Sequence, residues 1–242
     1  MKNKKVVTII IMKKKMEVVK MKVLCACEYS GIVRDAFLKK GHFAISCDLL
    51  PCESSMHWVS DANHYQGNVF DILYKGWDLV IAFPPCTYLT NSGIRWFNEE
   101  RYGDKARERK QLRLEAMEFV KKIWDSNTHV CIENPVGYLS NNWKKPTQII
   151  QPYYFGDAES KRTCLWLKNL PKLEHTKLVE PKIHGYYKSG KKKGKPYYFS
   201  DALVSSKDRA KDRSKFWNGV ANAMANQWTT NVIEKQKESM VF

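Results

Sequence analysis

Short apolar runs alternate with amphipathic segments along the first half of the chain. Residues 21–27, 43–47, 78–83 and 129–132 are short and apolar, which predicts four buried strands. Residues 32–40 carry apolar side chains at helical spacing and are followed by a glycine. This alternation is typical of α/β proteins with a parallel sheet. The pattern therefore predicts an α/β fold.

The second half continues the pattern with longer helices. Residues 105–124 predict an amphipathic helix, whose apolar face holds Leu112, Ala116, Phe119, Val120 and Ile123. A further strand is predicted at 163–167 and a helix at 218–228, whereas 65–69 predict a loop that leads into a short element. Between 172 and 213 aliphatic residues become rare, and Lys, Tyr, Gly and Ser become common.

Charge is the most unbalanced property of the composition. The 242 residues are 43% hydrophobic, which is enough for one domain of ordinary core size. The formal net charge is +16. An excess of this size attracts polyanions, among which nucleic acid is the commonest. We therefore expect a nucleic-acid partner, although a merely soluble lysine-rich surface would also account for the charge.

Cysteine usage indicates the compartment. The seven cysteines form no paired framework, which favours a reducing compartment and predicts a cytoplasmic location. They also show no strong zinc-binding spacing, so no metal site is expected. The apolar run at 6–12 is too short to span a bilayer and lacks a cleavage site, so we expect neither membrane association nor a signal peptide.

A cysteine stands at the end of one predicted strand. The run at 78–83 ends in two prolines, and Cys86 follows at the carboxyl end, where open α/β sheets build their sites. This thiol is a candidate nucleophile, with a buried structural cysteine as the alternative. Glu133 follows the strand at 129–132, so parallel strands would bring an acid to the same edge. The alternative for Glu133 is a helix-entry carboxylate.

A turn and an acid predict a cofactor site at this edge. Residues 28–31 form a turn that opens a helix, as in nucleotide-type cofactor sites. Asp48 ends the second predicted strand, where a carboxylate can accept hydrogen bonds from ribose hydroxyls. Each feature alone also fits an ordinary turn or a surface acid. Together they favour a cofactor that contains adenosine.

Two basic segments predict contacts with nucleic acid. Residues 87–102 predict a mobile loop. Its Arg95, Trp96 and Arg101 are expected to contact phosphate or to fill the space that a base vacates in the stack. The alternative is that Trp96 is buried against the sheet. Residues 184–199 predict a hairpin with a basic glycine tip and interleaved tyrosines. Its candidate DNA-contacting residues are Lys188, Lys191, Lys192, Lys193 and Lys195. The alternative is a solvated lysine loop with tyrosines packed beneath it.

These motifs, taken in order, resemble those of DNA cytosine-C5 methyltransferases, specifically compact forms like those in phage genomes. Pro84-Pro85-Cys86 matches the nucleophile motif, and Glu133-Asn134-Pro135 matches the acid motif. Ser160-Lys161-Arg162-Thr163 is similar to the basic motif beside the flipped base. The resemblance spans residues 21–228. It implies a Rossmann-like class I methyltransferase sheet with helices on both faces and a small basic recognition insertion near the C-terminus.

The resemblance also implies an activity and roles for single residues. The enzyme would transfer a methyl group from S-adenosylmethionine to C5 of a cytosine flipped out of double-stranded DNA, through a covalent Cys86 adduct. Glu133 would engage the N3 edge of the base, and Arg162 would hold the base or orient Glu133. Arg95 and Lys161 are expected to contact DNA. Residues expected to contact the cofactor are Cys27, Glu28, Ser30, Gly31, Asp48, Leu49, Asn68, Pro84 and Gly219.

The chain departs from the family pattern at several places. Thr87 stands where the family usually has glutamine, Asn68 where it has an acid, and Pro135 where it has valine. The alternatives are therefore a lapsed relative that binds DNA without turnover, and a related thiolate enzyme that modifies another pyrimidine, such as one in RNA. Methylation of an exocyclic amine is disfavoured, because Phe83 cannot accept a hydrogen bond and Cys86 offers no stacking surface.

Composition and resemblance together divide the chain into four segments. Residues 1–21 would be a basic N-terminal extension, and 22–170 the catalytic domain that binds the cofactor. Residues 171–213 would be a small basic DNA-recognition region, and 214–242 a helix that returns to the catalytic domain. We expect the protein to act as a monomer, in the host cytoplasm if a phage encodes it.

Overall fold

The computed structural model of the chain describes residues 20–53, 61–198 and 215–239. Most of the predicted basic extension, residues 199–213 of the predicted hairpin and recognition region, and residues 214 and 240–242 of the predicted C-terminal segment lie outside the described residues. Within the described part, the fold is α/β with a mostly parallel central sheet, compatible with a Rossmann-like fold.

Seven strands form this central sheet. They are β1 (Lys22–Ala26), β2 (Phe43–Asp48), β3 (His64–Gln66), β4 (Leu79–Ala82), β5 (Val130–Pro135), β6 (Gln148–Ile150) and β7 (Thr163–Lys168). Their order across the sheet is β3-β2-β1-β4-β5-β7-β6. The strands β1 to β5 pair in parallel, whereas β7 runs antiparallel between β5 and β6.

Helices and a small hairpin complete the described part. The helices are α1 (Ile32–Lys39), α2 (Glu99–Tyr102), α3 (Asp104–Asp125), α4 (Tyr138–Asn142) and α5 (Asn218–Ser239). The hairpin pairs β8 (Gly185–Tyr186) with β9 (Pro196–Tyr197) in antiparallel fashion. None of the helices in this described part is both long and apolar enough to cross a membrane.

Alternate residues of the central strands face two separate apolar cores. In β1, Val23 and Cys25 pack into the core that includes residues of α1 and α5, whereas Leu24 and Ala26 pack into the core that includes residues of α3. Successive side chains of a strand point to opposite faces, so a strand covered on both faces is apolar throughout. The apolar runs in the sequence are therefore explained by helices on both faces of the sheet.

The predicted elements agree with the structure in the centre of the sheet and differ at its edges. The predicted strands β1, β2, β4 and β5 and the long helix α3 lie within a few residues of their predicted bounds. The loop predicted at 65–69 is wrong in part, because Tyr65 and Gln66 belong to the short edge strand β3. β6 was not predicted, since three residues at a sheet edge carry no apolar run. The helix predicted at 218–228 continues to Ser239.

The chain order reverses between β1 and β4. β2 and β3 lie on one side of β1, and β4 and β5 lie on the other. In open α/β sheets, ligands bind in the crevice outside the carboxyl ends of the strands at such a reversal. The residues that follow β1, β2, β4 and β5 therefore form the candidate site.

Candidate functional site

A buried hydrogen bond joins the two predicted catalytic motifs. The Nδ2 atom of Asn134, near the end of β5, donates a hydrogen bond of 2.9 Å to the carbonyl of Pro84, which follows β4. Asn134 is only 1% exposed. Because β4 and β5 are parallel neighbours, this bond fixes the segment carrying Cys86 to the strand carrying Glu133.

Cys86 differs from the other cysteines in its exposure. All seven cysteines lie in the described part of the chain, and Cys86 alone is exposed. Burial raises the pKa of the Cys25 and Cys131 thiols, which favours their protonated and unreactive form. The alternative that Cys86 is a buried structural cysteine is therefore wrong.

Glu133 lies within β5 and is half-buried. Burial raises its pKa, and the positive charge of Lys161 opposes that rise. A raised pKa favours the protonated carboxyl, which can donate a hydrogen bond to a ring nitrogen. The alternative of a helix-entry carboxylate is wrong, because α4 begins only at Tyr138.

The cation beside Glu133 is Lys161. Its Nζ lies 4.8 Å from the ring centroid of Trp217, so the ammonium group is held over an aromatic face. Arg162, which the resemblance assigns to this place, is exposed, and its charge acts on Cys164. Residues 161 and 162 both precede β7, and no sequence signal favoured Lys161 over Arg162.

The turn after β1 is built around a buried acid. Cys27 has a φ of 57°, which turns the chain sharply at the strand end. Glu28 accepts hydrogen bonds from the amides of Val33 at 2.7 Å and Arg34 at 3.3 Å, and from the Ser30 hydroxyl at 3.2 Å. Burial raises the pKa of Glu28 to about 7. The side chains of Glu28 and Ser30 thus shape the start of α1 from inside the protein.

Gly31 forms the other end of this turn. It is the residue before α1 and has a φ of 72°, a left-handed conformation that glycine adopts without steric cost. The amides of Val33 and Arg34 in the first turn of α1 already donate to the Glu28 carboxylate, so this acid caps the amino end of the helix.

Three further predicted cofactor residues lie next to one another. The Asp48 carbonyl accepts a hydrogen bond of 2.9 Å from the amide of Gly67, which places Asn68 beside the end of β2. The carboxylate of Asp48 is half-buried and accepts from the Leu50 amide at 2.9 Å. Leu49 is 75% exposed. The Asp48 carboxylate can accept hydrogen bonds from ribose hydroxyls, and the exposed Leu49 side chain can cover a base ring. The two residues together fit adenosine.

Gly219 has a packing role at the start of α5. Its amide donates to the Asp157 carboxylate at 2.9 Å, and a Cβ on this residue would lie 2.0 Å from the Phe155 carbonyl oxygen. Nearby, Lys215 forms an ion pair of 3.1 Å with Glu53, in the segment that follows Asp48. The ion pair therefore brings the residues before α5 close to the segment that follows β2.

The segment after Cys86 is held by two other elements. Arg109 of α3 donates to the Thr87 carbonyl at 3.1 Å, and Arg113 donates to the Tyr88 carbonyl at 2.9 Å. The amide of Tyr138, the first residue of α4, donates to the Leu89 carbonyl at 2.7 Å. Sequence reasoning missed both arginines, because their partners are backbone carbonyls that carry no sequence signal.

Further along this segment, the aromatic and basic side chains are exposed. Trp96 is 43% exposed, so the alternative that it is buried against the sheet is wrong. Arg95 is exposed, with its guanidinium 4.9 Å from the Trp96 ring centroid. The position of both side chains is compatible with contact to a ligand in front of Cys86.

The predicted basic hairpin is confirmed as a hairpin. β8 and β9 are joined by a turn at Gly190–Lys192, and the five predicted lysines are exposed. The rings of Tyr187 and Tyr197 lie 5.4 Å apart in an edge-to-face contact. Lysines therefore cover the surface of a hairpin whose tyrosines pack on one another.

Comparisons with known proteins do not assign a family. No protein-family model and no curated protein matches the chain. Within the described ranges, no group of three or more His, Cys, Asp and Glu residues is placed to hold a metal ion.

Proposed function

We propose that this chain is an S-adenosylmethionine-dependent DNA cytosine-C5 methyltransferase. The observation that supports the proposal is the buried Asn134–Pro84 hydrogen bond, because it ties the segment that carries an exposed thiol to the strand that carries a carboxyl with a raised pKa. A nucleophile and an acid in one place are what addition to a pyrimidine ring requires.

Cys86 and Glu133 have complementary roles in this reaction. The Cys86 thiolate adds to C6 of the flipped cytosine while the protonated Glu133 donates to N3, so the ring accepts the electron pair and C5 becomes nucleophilic. When bound, S-adenosylmethionine would supply the methyl group for C5. A base then removes the C5 proton, the electron pair of that C–H bond forms the C5–C6 double bond and expels Cys86 as a thiolate, and the Glu133 carboxylate takes back its proton from N3.

The cofactor is proposed to lie where β1 and β2 end. Asp48 would accept hydrogen bonds from ribose hydroxyls, Leu49 would cover the adenine ring, and the turn at residues 27–31 would border the methionine part. The strand order, with β7 antiparallel between β5 and β6, is compatible with a class I methyltransferase sheet. This arrangement leaves the side of Cys86 and Glu133 for the base.

Charge and the hairpin support DNA as the substrate. The net charge of +16 favours a polyanion, and the exposed hairpin lysines offer contacts to phosphates. Phosphate contacts orient a protein on DNA without selecting a sequence. The proposed substrate is therefore double-stranded DNA with a cytosine that flips into the site.

The experiment is bisulfite sequencing of DNA from cells that express the protein, together with capture on DNA containing 5-fluorocytosine. Methylation and a covalent adduct are expected with the wild type, and both disappear in Cys86→Ser. Cys52→Ser is the matched control, because Cys52 is only half-buried and accepts from Arg34 through an atom that serine can replace.

Three outcomes would contradict the proposal. A fully active Cys86→Ser protein would exclude the thiolate mechanism. Cofactor binding without methylation of diverse DNA would favour the lapsed DNA-binding relative. Methylation of RNA in preference to DNA would favour the enzyme acting on another pyrimidine.

A further inference from the structure

A groove runs beside the candidate nucleophile, between the segment after Cys86 and helix α3. Its volume is about 780 Å³, within the range of about 300–1,000 Å³ typical of small-ligand pockets. Its lining includes Thr87, Tyr88, Trp96, Tyr102, Lys105 and Arg109. Thr87 follows Cys86 directly in the chain, so the groove opens next to the proposed reaction centre.

One wall of the groove is aromatic. Trp96 is 43% exposed, and its ring lies 4.9 Å from that of Tyr102 with an interplanar angle of 44°. Arg95 is placed over the Trp96 ring, which adds positive charge at the aromatic wall. An exposed indole in a basic groove is a stacking surface that accepts any nucleobase.

The other wall carries positive charge from α3. Lys105 and Arg109 line the groove, and Glu108 is the carboxylate among the lining residues. Arg109 is held in place by its hydrogen bond to the Thr87 carbonyl. A Cβ at Gly93 would lie 3.0 Å from the Arg109 guanidinium, so the absence of a side chain at Gly93 makes room for Arg109. The two cations suit a phosphate better than a neutral ligand.

We propose that this groove binds the unstacked nucleotide next to the target cytosine, with its base on Trp96 and its phosphate at Lys105. The inference rests on the proposed function, because flipping the target removes a stacking partner from its neighbours. It extends that function by giving the strand beside the target a binding site of its own, separate from the cofactor edge at β1 and β2.

The test compares two fluorescein-labelled DNA duplexes of one sequence, fully paired or with one unpaired thymidine, by fluorescence anisotropy without S-adenosylmethionine. The wild-type protein is expected to bind the bulged duplex more tightly. Trp96→Ala should reduce this preference about five-fold or more, since it removes a base-stacking surface. Trp96→Phe should retain most of the preference, which separates lost stacking from lost folding.

Charge reversal tests the phosphate contact. Lys105→Glu should weaken binding of the bulged duplex more than the control Lys75→Glu does. Lys75 is exposed and precedes β4, at the amino ends of the strands, so its replacement makes the same charge change away from the groove. Equal losses in the two variants, or an unchanged preference in Trp96→Ala, would overturn the proposal. The binding assay needs no methyl transfer, so a protein that fails to methylate but shows these losses would contradict the proposed function alone.

Discussion

At the scale of single residues, the protonation of Glu133 determines the pH range in which the proposed reaction can run. Burial raises its pKa, and Lys161 limits that rise. The protonated form donates to the base, so this contribution is present below the raised pKa and is lost as the pH rises through it. In the proposed reaction, activity should therefore fall at high pH, along a limb that belongs to Glu133.

We predict that Glu133→Gln lowers kcat by about 10²–10⁴-fold, because an amide cannot transfer a proton to the ring nitrogen. The loss of activity at high pH that belongs to Glu133 should disappear as well. The measurement is methyl transfer to DNA from radiolabelled cofactor across pH. Glu174→Gln, at an exposed position, is the control. A Glu133→Gln protein with the wild-type rate and pH profile would contradict this role.

The cation beside Glu133 gives a second prediction. Lys161→Gln removes a charge that lowers the pKa of Glu133, so the limb at high pH should move to higher pH. Arg162→Gln should leave that limb in place, because Arg162 is exposed and, unlike Lys161, does not contribute to the pKa shift of Glu133. Both pH profiles can be measured with one assay. If only Arg162→Gln moves the limb, the assignment made from the sequence is the better one.

At the scale of elements, the sequence predicted the strands that are buried on both faces of the sheet. It missed the short strands that are recognised only by their pairing with a neighbour. β1 and β4 are apolar at every position of their buried core, so their pattern was evident. β3 and β6 have three residues each at the sheet margins, and a segment of three residues is too short to show a strand pattern even where, as at Ile150, one side chain is buried. The two catalytic motifs were predicted to share an edge, but the Asn134 bond joining them involves a backbone carbonyl.

The anchoring of the segment after Cys86 by α3 is likewise a tertiary feature. Arg113 donates to the Tyr88 carbonyl, and its guanidinium lies 3.2 Å from the ring centroid of Phe97 and 4.5 Å from that of Tyr138. The Arg113 side chain therefore joins α3 to the segment after Cys86 and to Tyr138, which follows β5. A guanidinium in this position limits how far Cys86 can move relative to Glu133.

We predict that Arg113→Met lowers both the free energy of unfolding and kcat, with little change in KM for the cofactor. The loss of a charged hydrogen bond and of cation–π contacts should cost about 2–4 kcal/mol in urea denaturation. Arg107→Met is the control, because its ion pairs with Glu99 and Asp104 are exposed to solvent and contribute little to stability. An Arg113→Met protein that is less stable but has an unchanged kcat would restrict Arg113 to a structural role.

At the scale of the whole molecule, positive charge is found on two separate surfaces, to which the two proposals assign different tasks. The groove beside Cys86 has few charges next to exposed aromatic rings, which suits one nucleotide. The hairpin of β8 and β9 has many exposed lysines over packed tyrosines, which suits a phosphate backbone. Stacking depends weakly on salt and phosphate contact depends strongly on it, so the two surfaces can be separated by ionic strength.

We predict that replacing Lys191, Lys192 and Lys193 with alanine weakens DNA binding and flattens its salt dependence. Each lost phosphate contact should reduce the slope of log K against log salt by about 0.9 for duplex DNA. The control replaces Lys39, Lys40 and Lys75 with alanine, which removes the same amount of charge. These lysines are exposed and lie near the amino ends of the parallel strands, opposite the candidate site. Because the hairpin lysines are exposed, the thermal stability should stay near that of the wild type. Equal changes of slope in the two triple variants would mean that the net charge, rather than the hairpin, binds the DNA.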